Sequence, residues 1–127
     1  MLVWLVACAC VCGCHRVPPP GPGDPRLPEA FCTPEATFRT WVRASLSGDR
    51  NAVRACYWED LPAEELDAWL RENLRSEARR YFRGARLVRI EPVNAVEVRF
   101  VFTARGGAAE GRGVMVRMRS GWKIQSW

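Results

Sequence analysis

The chain has 127 residues, a formal charge of +5, and arginine at every basic position except Lys123. After an apolar leader and a proline-rich stretch, that length leaves room for one domain and excludes a second. The charge suits anionic lipid or polysaccharide. Nucleic acid is not an expected partner, because no basic stripe with interleaved aromatic residues is present.

Met1 to Cys14 reads MLVWLVACACVCGC, apolar and free of charge. A run of about 13 apolar residues is too short for a bilayer, which needs ~20. It fits the apolar region of a secretory signal ending in small residues. Val11-Cys12-Gly13-Cys14 matches the pattern before a lipidated cysteine, and so does Leu5-Val6-Ala7-Cys8. Length favours Cys14, because Cys8 leaves only seven residues ahead of it. No Lys or Arg precedes the run, so the free amino group or an upstream start must supply the positive charge. The spacing of Cys8, Cys10, Cys12 and Cys14 does not suit zinc, which takes C-x₂₋₄-C with a distant second pair. No metal or cofactor is expected.

His15 to Ala30 holds Pro18, Pro19, Pro20, Pro22, Pro25 and Pro28. Such a stretch forms no core and reads as an extended tether. The expected organisation is therefore a signal over 1–14, a tether over 15–30 and a domain over 31–127. In an oxidising compartment Cys32 and Cys56 are candidates for a bridge. The alternative is two buried free thiols.

Thr33-Pro34-Glu35 predicts a helix start, with a capping hydroxyl and Pro at the first helical position. Phe38, Trp41, Val42, Ser45 and Leu46 share one face, and Ser47-Gly48 ends the helix. Asp49 caps a short second helix carrying Val53, Cys56 and Tyr57. Pro62 opens a third, with Leu66, Trp69, Leu70, Leu74, Ala78 and Tyr81 on one face up to Gly84. That helix would be about 30 Å long, with Trp69 against the sheet. Asp60 is expected to cap it.

The period then changes. Arg86 to Glu91 predicts a short strand. Val96, Val98, Phe100 and Phe102 alternate with Glu97, Arg99, Val101 and Thr103, as in a half-buried strand. Gly106-Gly107 marks a hairpin. Val114, Val116 and Met118 form the next inward set, and Trp122 to Trp127 closes the sheet after Ser120-Gly121. Helices followed by hairpin-linked strands predict an α+β fold, with three helices on one face of a curved antiparallel sheet.

Three phrases carry a resemblance. Thr33 to Trp41 resembles the opening helix of the nuclear transport factor 2-like superfamily. Leu46-Ser47-Gly48-Asp49 with Ala52-Val53 resembles its helix–turn–helix joint, and Gly121-Trp122-Lys123-Ile124 its closing strand. The likeness spans Thr33 to Trp127 and is greatest to small lipoprotein-anchored members of unassigned function. It implies a cone with an apolar pocket at the wide end. Trp41, Tyr57, Trp69, Phe100, Phe102 and Trp122 are then the candidate pocket-lining residues.

Enzymes on that fold, such as ketosteroid isomerase, use an Asp base beside a Tyr and a protonated Asp. The strands here contain no Asp, and the lone histidine is His15, in the tether. Tyr57, Glu59 and Asp60 form the one acid–phenol cluster. No catalytic residue is assigned. Arg71, Arg75, Arg79, Arg80 and Arg83 follow Glu64, Glu65 and Asp67 along the third helix, an order that complements its dipole. Asp67–Arg71, Glu72–Arg75 and Glu77–Arg80 are the expected helical pairs.

The expected function is a lipid-anchored envelope protein, at the periplasmic side of the outer membrane in a Gram-negative cell. Its domain would bind an envelope protein partner or an apolar small ligand without catalysis. A small pocket enzyme and an electrostatic binder of anionic envelope components are the alternatives.

Overall fold

The computed structural model describes residues 24–127. Cys14, the leader and the first part of the tether lie outside the described residues. The signals at the start of the domain act as local chemistry requires. Thr33 Oγ1 accepts from Ala36 N–H, and α1 (Pro34–Ser47) ends where Gly48 turns left-handed at φ 71°. Asp49 then accepts from Asn51 and Ala52 N–H and caps α2 (Arg50–Ala55).

The third helix departs from expectation in two ways. It is two helices, α3 (Ala63–Leu74) and α4 (Ser76–Phe82), divided at Arg75, whose ψ of 151° is extended. There are thus four helices rather than three. Asp60 is not the cap: Pro62 occupies that position, no side chain caps the helix, and Asp60 is exposed. Beyond the break, α4 buries Ala78 and Phe82 in the core. Of the expected helical pairs, Glu72–Arg75 forms at 3.3 Å. Asp67 instead reaches Arg50 on α2, at 3.1 Å.

The strands β1 (Arg86–Asn94), β2 (Glu97–Ala104), β3 (Ala109–Met118) and β4 (Gly121–Ser126) form an antiparallel meander in chain order. The free edge of β4 is covered, because Tyr57 pairs with Ile124 and the chain on either side exchanges hydrogen bonds with it. The register between β1 and β2 slips at Val88 and at Val93. A slipped residue has no cross-strand partner and bends the strand, and both valines are exposed, at 52% and 47%.

Two strand faces differ from the predicted pattern. Val96 is 54% exposed, because β2 starts one residue later and Val96 N–H is tied to Asn94 Oδ1 in the connection. On β3 the inward residue is Met115, not Val114, Val116 or Met118. A shift of one residue moves a whole strand to its other face. Gly111 and Gly113 share the Met115 face, opposite Phe102 and Phe100, and a Cβ at either would meet those rings. The glycines are therefore sockets for the two phenylalanines.

The core lies between the helices and the inner sheet face. Trp41 and Phe38 of α1 meet Phe82, Phe100 and Phe102 edge-on or tilted, at centroid distances of 4.8–6.3 Å. Trp69 is only partly buried and packs edge-on against Tyr57, while α3 fully buries Leu70 and Asn73. Ordered contacts reach back beyond the boundary expected at residue 31. Asp24 pairs with Arg117 at 2.7 Å, and Thr40 donates to the Ala30 carbonyl.

Candidate functional site

The centre of the domain holds a buried polar network. Tyr57 hydroxyl accepts from Trp127 Nε1 at 2.9 Å and lies 3.2 Å from Trp41 Nε1. It also bonds the Asn73 amide. That amide sits with Nδ2 toward Tyr57 and the Trp69 carbonyl, and with Oδ1 toward Trp41 Nε1 and Ser45 Oγ. The reverse orientation would set oxygen against oxygen at Trp69 and N–H against N–H at Trp41. Ser45 Oγ also lies 2.8 Å from the Trp41 carbonyl, and its single proton serves either that carbonyl or Asn73 Oδ1. Buried polar groups are tolerated when partnered in this way. The network holds no carboxylate and no imidazole, so it offers no group to take or give a proton near neutral pH.

Burial pushes the Tyr57 hydroxyl well above its ordinary value of 10.0, against the indole donors that would lower it. The Cys56 thiol is pushed up to about 12, mainly by burial, with nearby Lys123 opposing. Both folded values lie above the unfolded ones. The stability these groups contribute is complete below their ordinary values of 9.0 and 10.0 and is lost progressively as the pH rises from those values through the raised folded ones. Urea titrations at pH 8 and pH 11 should show a large fall in midpoint. Tyr57→Phe should flatten that fall, and an unchanged slope would refute the account.

Trp41, Tyr57, Phe100 and Phe102 are fully buried, while Trp69 and Trp122 are partly so. None of the six lines the cleft beside the network. That cleft, about 350 Å³, opens at the α3–α4 break and is walled by Tyr81, Phe82, Trp127, Arg75 and Arg105, with Glu72 and Glu77 at its edge. Trp127 packs edge-on against Trp41 at 5.0 Å and closes the interior from the cleft side. Four of the six expected residues are core, and the cleft joins Tyr81 of the third helix's apolar face and Trp127 of the closing strand to charged residues of the helix and Arg105 of the turn. The signal that could have found it is Arg105 beside Gly106-Gly107. Arg105 takes a left-handed φ of 51°, which non-glycine residues rarely adopt and which often marks functional positions. Its guanidinium lies 5.8 Å from the Tyr81 ring centroid.

Tyr57 and Asp60 do not come together, since the hydroxyl is committed to the core and Asp60 faces solvent. Glu59 accepts from Ser120 Oγ at 2.6 Å. Cys32 and Cys56 are free thiols rather than a bridge. Each sulfur instead faces a preceding carbonyl, Cys32 toward Glu29 and Cys56 toward Ala52. Among the described residues, no three His, Cys, Asp or Glu side chains gather at one point. Among the same residues, no helix is long and apolar enough to cross a membrane.

The domain is α+β, with helices over one face of a four-stranded antiparallel meander. No family model matches the chain. No curated protein matches it either. Among solved structures, the chain is similar to an NTF-2-like protein of unknown function from Shewanella oneidensis MR-1. The identity is 14% and the TM-score 0.45, over 70% of this chain and 88% of the other.

Proposed function

We propose that this chain is a membrane-anchored extracytoplasmic lipoprotein whose α+β domain binds a small ligand at its surface cleft and catalyses nothing. One observation carries the binding reading. The interior is filled by Tyr57, Asn73, Ser45 and two indoles bonded to one another, and beside it Trp127 walls an open cleft with aromatic sides. Its Tyr81, Phe82 and Trp127 walls suit a planar apolar group. The anchor reading rests on the leader and on Val11-Cys12-Gly13-Cys14.

The two halves have separate tests. Growth with a fatty-acid analogue should label the wild-type chain and not Cys14→Ala. Label that persists there but vanishes in Cys8→Ala would move the anchor. For the cleft, 1-naphthol should bind with an affinity that Tyr81→Ala weakens about tenfold. No binding by the wild-type chain would refute the cleft as the site.

A further inference from the structure

The cleft does not end at its aromatic walls. A second concavity adjoins it, lined by Glu77, Arg80, Arg83, Gly84, Arg105 and Gly106. Arg105 and Glu77 belong to both. Arg105 therefore stands on the boundary, with its guanidinium by the Tyr81 ring, and lines the second concavity together with Arg80 and Arg83.

The second concavity is built from three turns of chain. Arg80 and Arg83 are three residues apart at the end of α4, so they project from neighbouring positions of one face. Gly84 follows at φ 69° and turns the chain into β1. Across from it, Arg105 and Gly106 both take left-handed backbone, and a side chain at Gly106 would meet nothing within 4 Å. The space is open and the backbone around it is bent to leave it so.

Charge then selects the ligand. Among the described residues, Arg80, Arg83 and Arg105 make no ion pair, whereas Arg75 is held by Glu72. Glu77 is the one carboxylate lining this space. Its carboxylate takes the Ser76 hydroxyl at 3.3 Å and its own backbone N–H, bonds that keep it ionised. Three guanidinium groups against one carboxylate leave a local excess of two positive charges. A phosphate monoester carries about −1.5 to −2 at neutral pH, and guanidinium groups bind its oxygens through paired N–H donors.

We infer that the two concavities are one site for a planar, aromatic phosphate monoester, its ring against Tyr81 and Trp127 and its phosphate among Arg80, Arg83 and Arg105. This rests on the cleft being the ligand site. The ring contacts provide apolar burial, and the phosphate contacts provide selection, because a neutral ring leaves the arginines in water. An inorganic phosphate lacks the ring and loses the aromatic contacts.

Calorimetry on the full chain tests this with four probes: 1-naphthyl phosphate, 1-naphthol, inorganic phosphate, and vesicles containing phosphatidic acid. The naphthyl phosphate should bind at least tenfold tighter than the naphthol or the inorganic ion. Arg83→Gln, outside the aromatic cleft, should reduce its affinity about tenfold and leave 1-naphthol unchanged, whereas Arg105→Gln, at the boundary, should weaken both and the ester more. Raising salt should weaken the phosphate ester and not the alcohol. Equal affinity for ester and alcohol, with both binding, would overturn the phosphate assignment and leave the cleft reading intact. Failure of both to bind would overturn both. Binding to the vesicles without binding to naphthyl phosphate would make the arginines a lipid-headgroup surface and overturn the small-ligand assignment. Arg83→Lys, which keeps the charge but not the paired donors, should recover only part of the loss.

Discussion

Trp41→Ala is expected to lower folding stability by about 5 kcal/mol, at the top of the range for large-to-small core changes. Trp41 is completely buried and packs against Phe38, Phe82, Phe100, Phe102 and Trp127. Its removal leaves a void among rings that cannot collapse together. It also removes one indole N–H donor from the network around Tyr57 and Asn73, and the net loss of a buried hydrogen bond adds about 1 kcal/mol. Small domains hold roughly 5–15 kcal/mol in total, so the variant should be largely unfolded at 37 °C. Trp69→Ala is the control. Trp69 is only partly buried and meets Tyr57 at 5.2 Å, so its loss should cost about 1–2 kcal/mol, at the low end of large-to-small changes. Urea unfolding followed by circular dichroism compares the two. Equal costs would place Trp69 at the centre of the core and refute the arrangement of α3.

Gly113→Val is expected to be nearly as damaging, at about 3 kcal/mol or more, which is the upper end for overpacking. A side chain at Gly113 would collide with the Phe100 ring and with the backbone carbonyl of Ser126 on the neighbouring strand. Phe100 can be trimmed but Ser126 cannot move without breaking the sheet. Gly113→Val combined with Phe100→Leu should therefore recover little stability. Gly107→Ala, which meets nothing within 4 Å, should cost far less, its left-handed φ of 99° being the main penalty. Thermal melting of the three variants gives the order. A tolerated Gly113→Val would mean that β3 presents the opposite face.

Much of the fold was legible because its signals are local. Thr33-Pro34, Gly48 and Asp49 act through hydrogen bonds and backbone angles that span a few residues, so residue type alone specifies them. The period-two run from Val98 to Phe102 needs only a sheet with one covered face, and all three of its inward residues are buried. The order of helices and hairpins, and hence the α+β class, follows from those signals.

What the tertiary structure alone decided lies where distant residues compete for one space. Nothing in Leu74-Arg75-Ser76 breaks a helix; the extended backbone at Arg75 appears only in the folded chain, where α3 buries Leu70 and Asn73 and α4 buries Ala78 and Phe82. The inward face of β3 carries two glycines, which have no hydropathy to read, and their role appears only when Phe100 and Phe102 are opposite them. Val101 faces away from the core yet is only 4% exposed, because its cross-strand neighbours are Arg89 and Arg112, whose aliphatic stems can cover it. The aromatic residues expected to line a pocket instead fill it, because Tyr57, Asn73, Ser45 and Trp127, from separate parts of the chain, complete one another's hydrogen bonds. A short window of sequence records local hydrogen bonding and periodicity. Which side chain occupies the last free volume depends on every element that borders it.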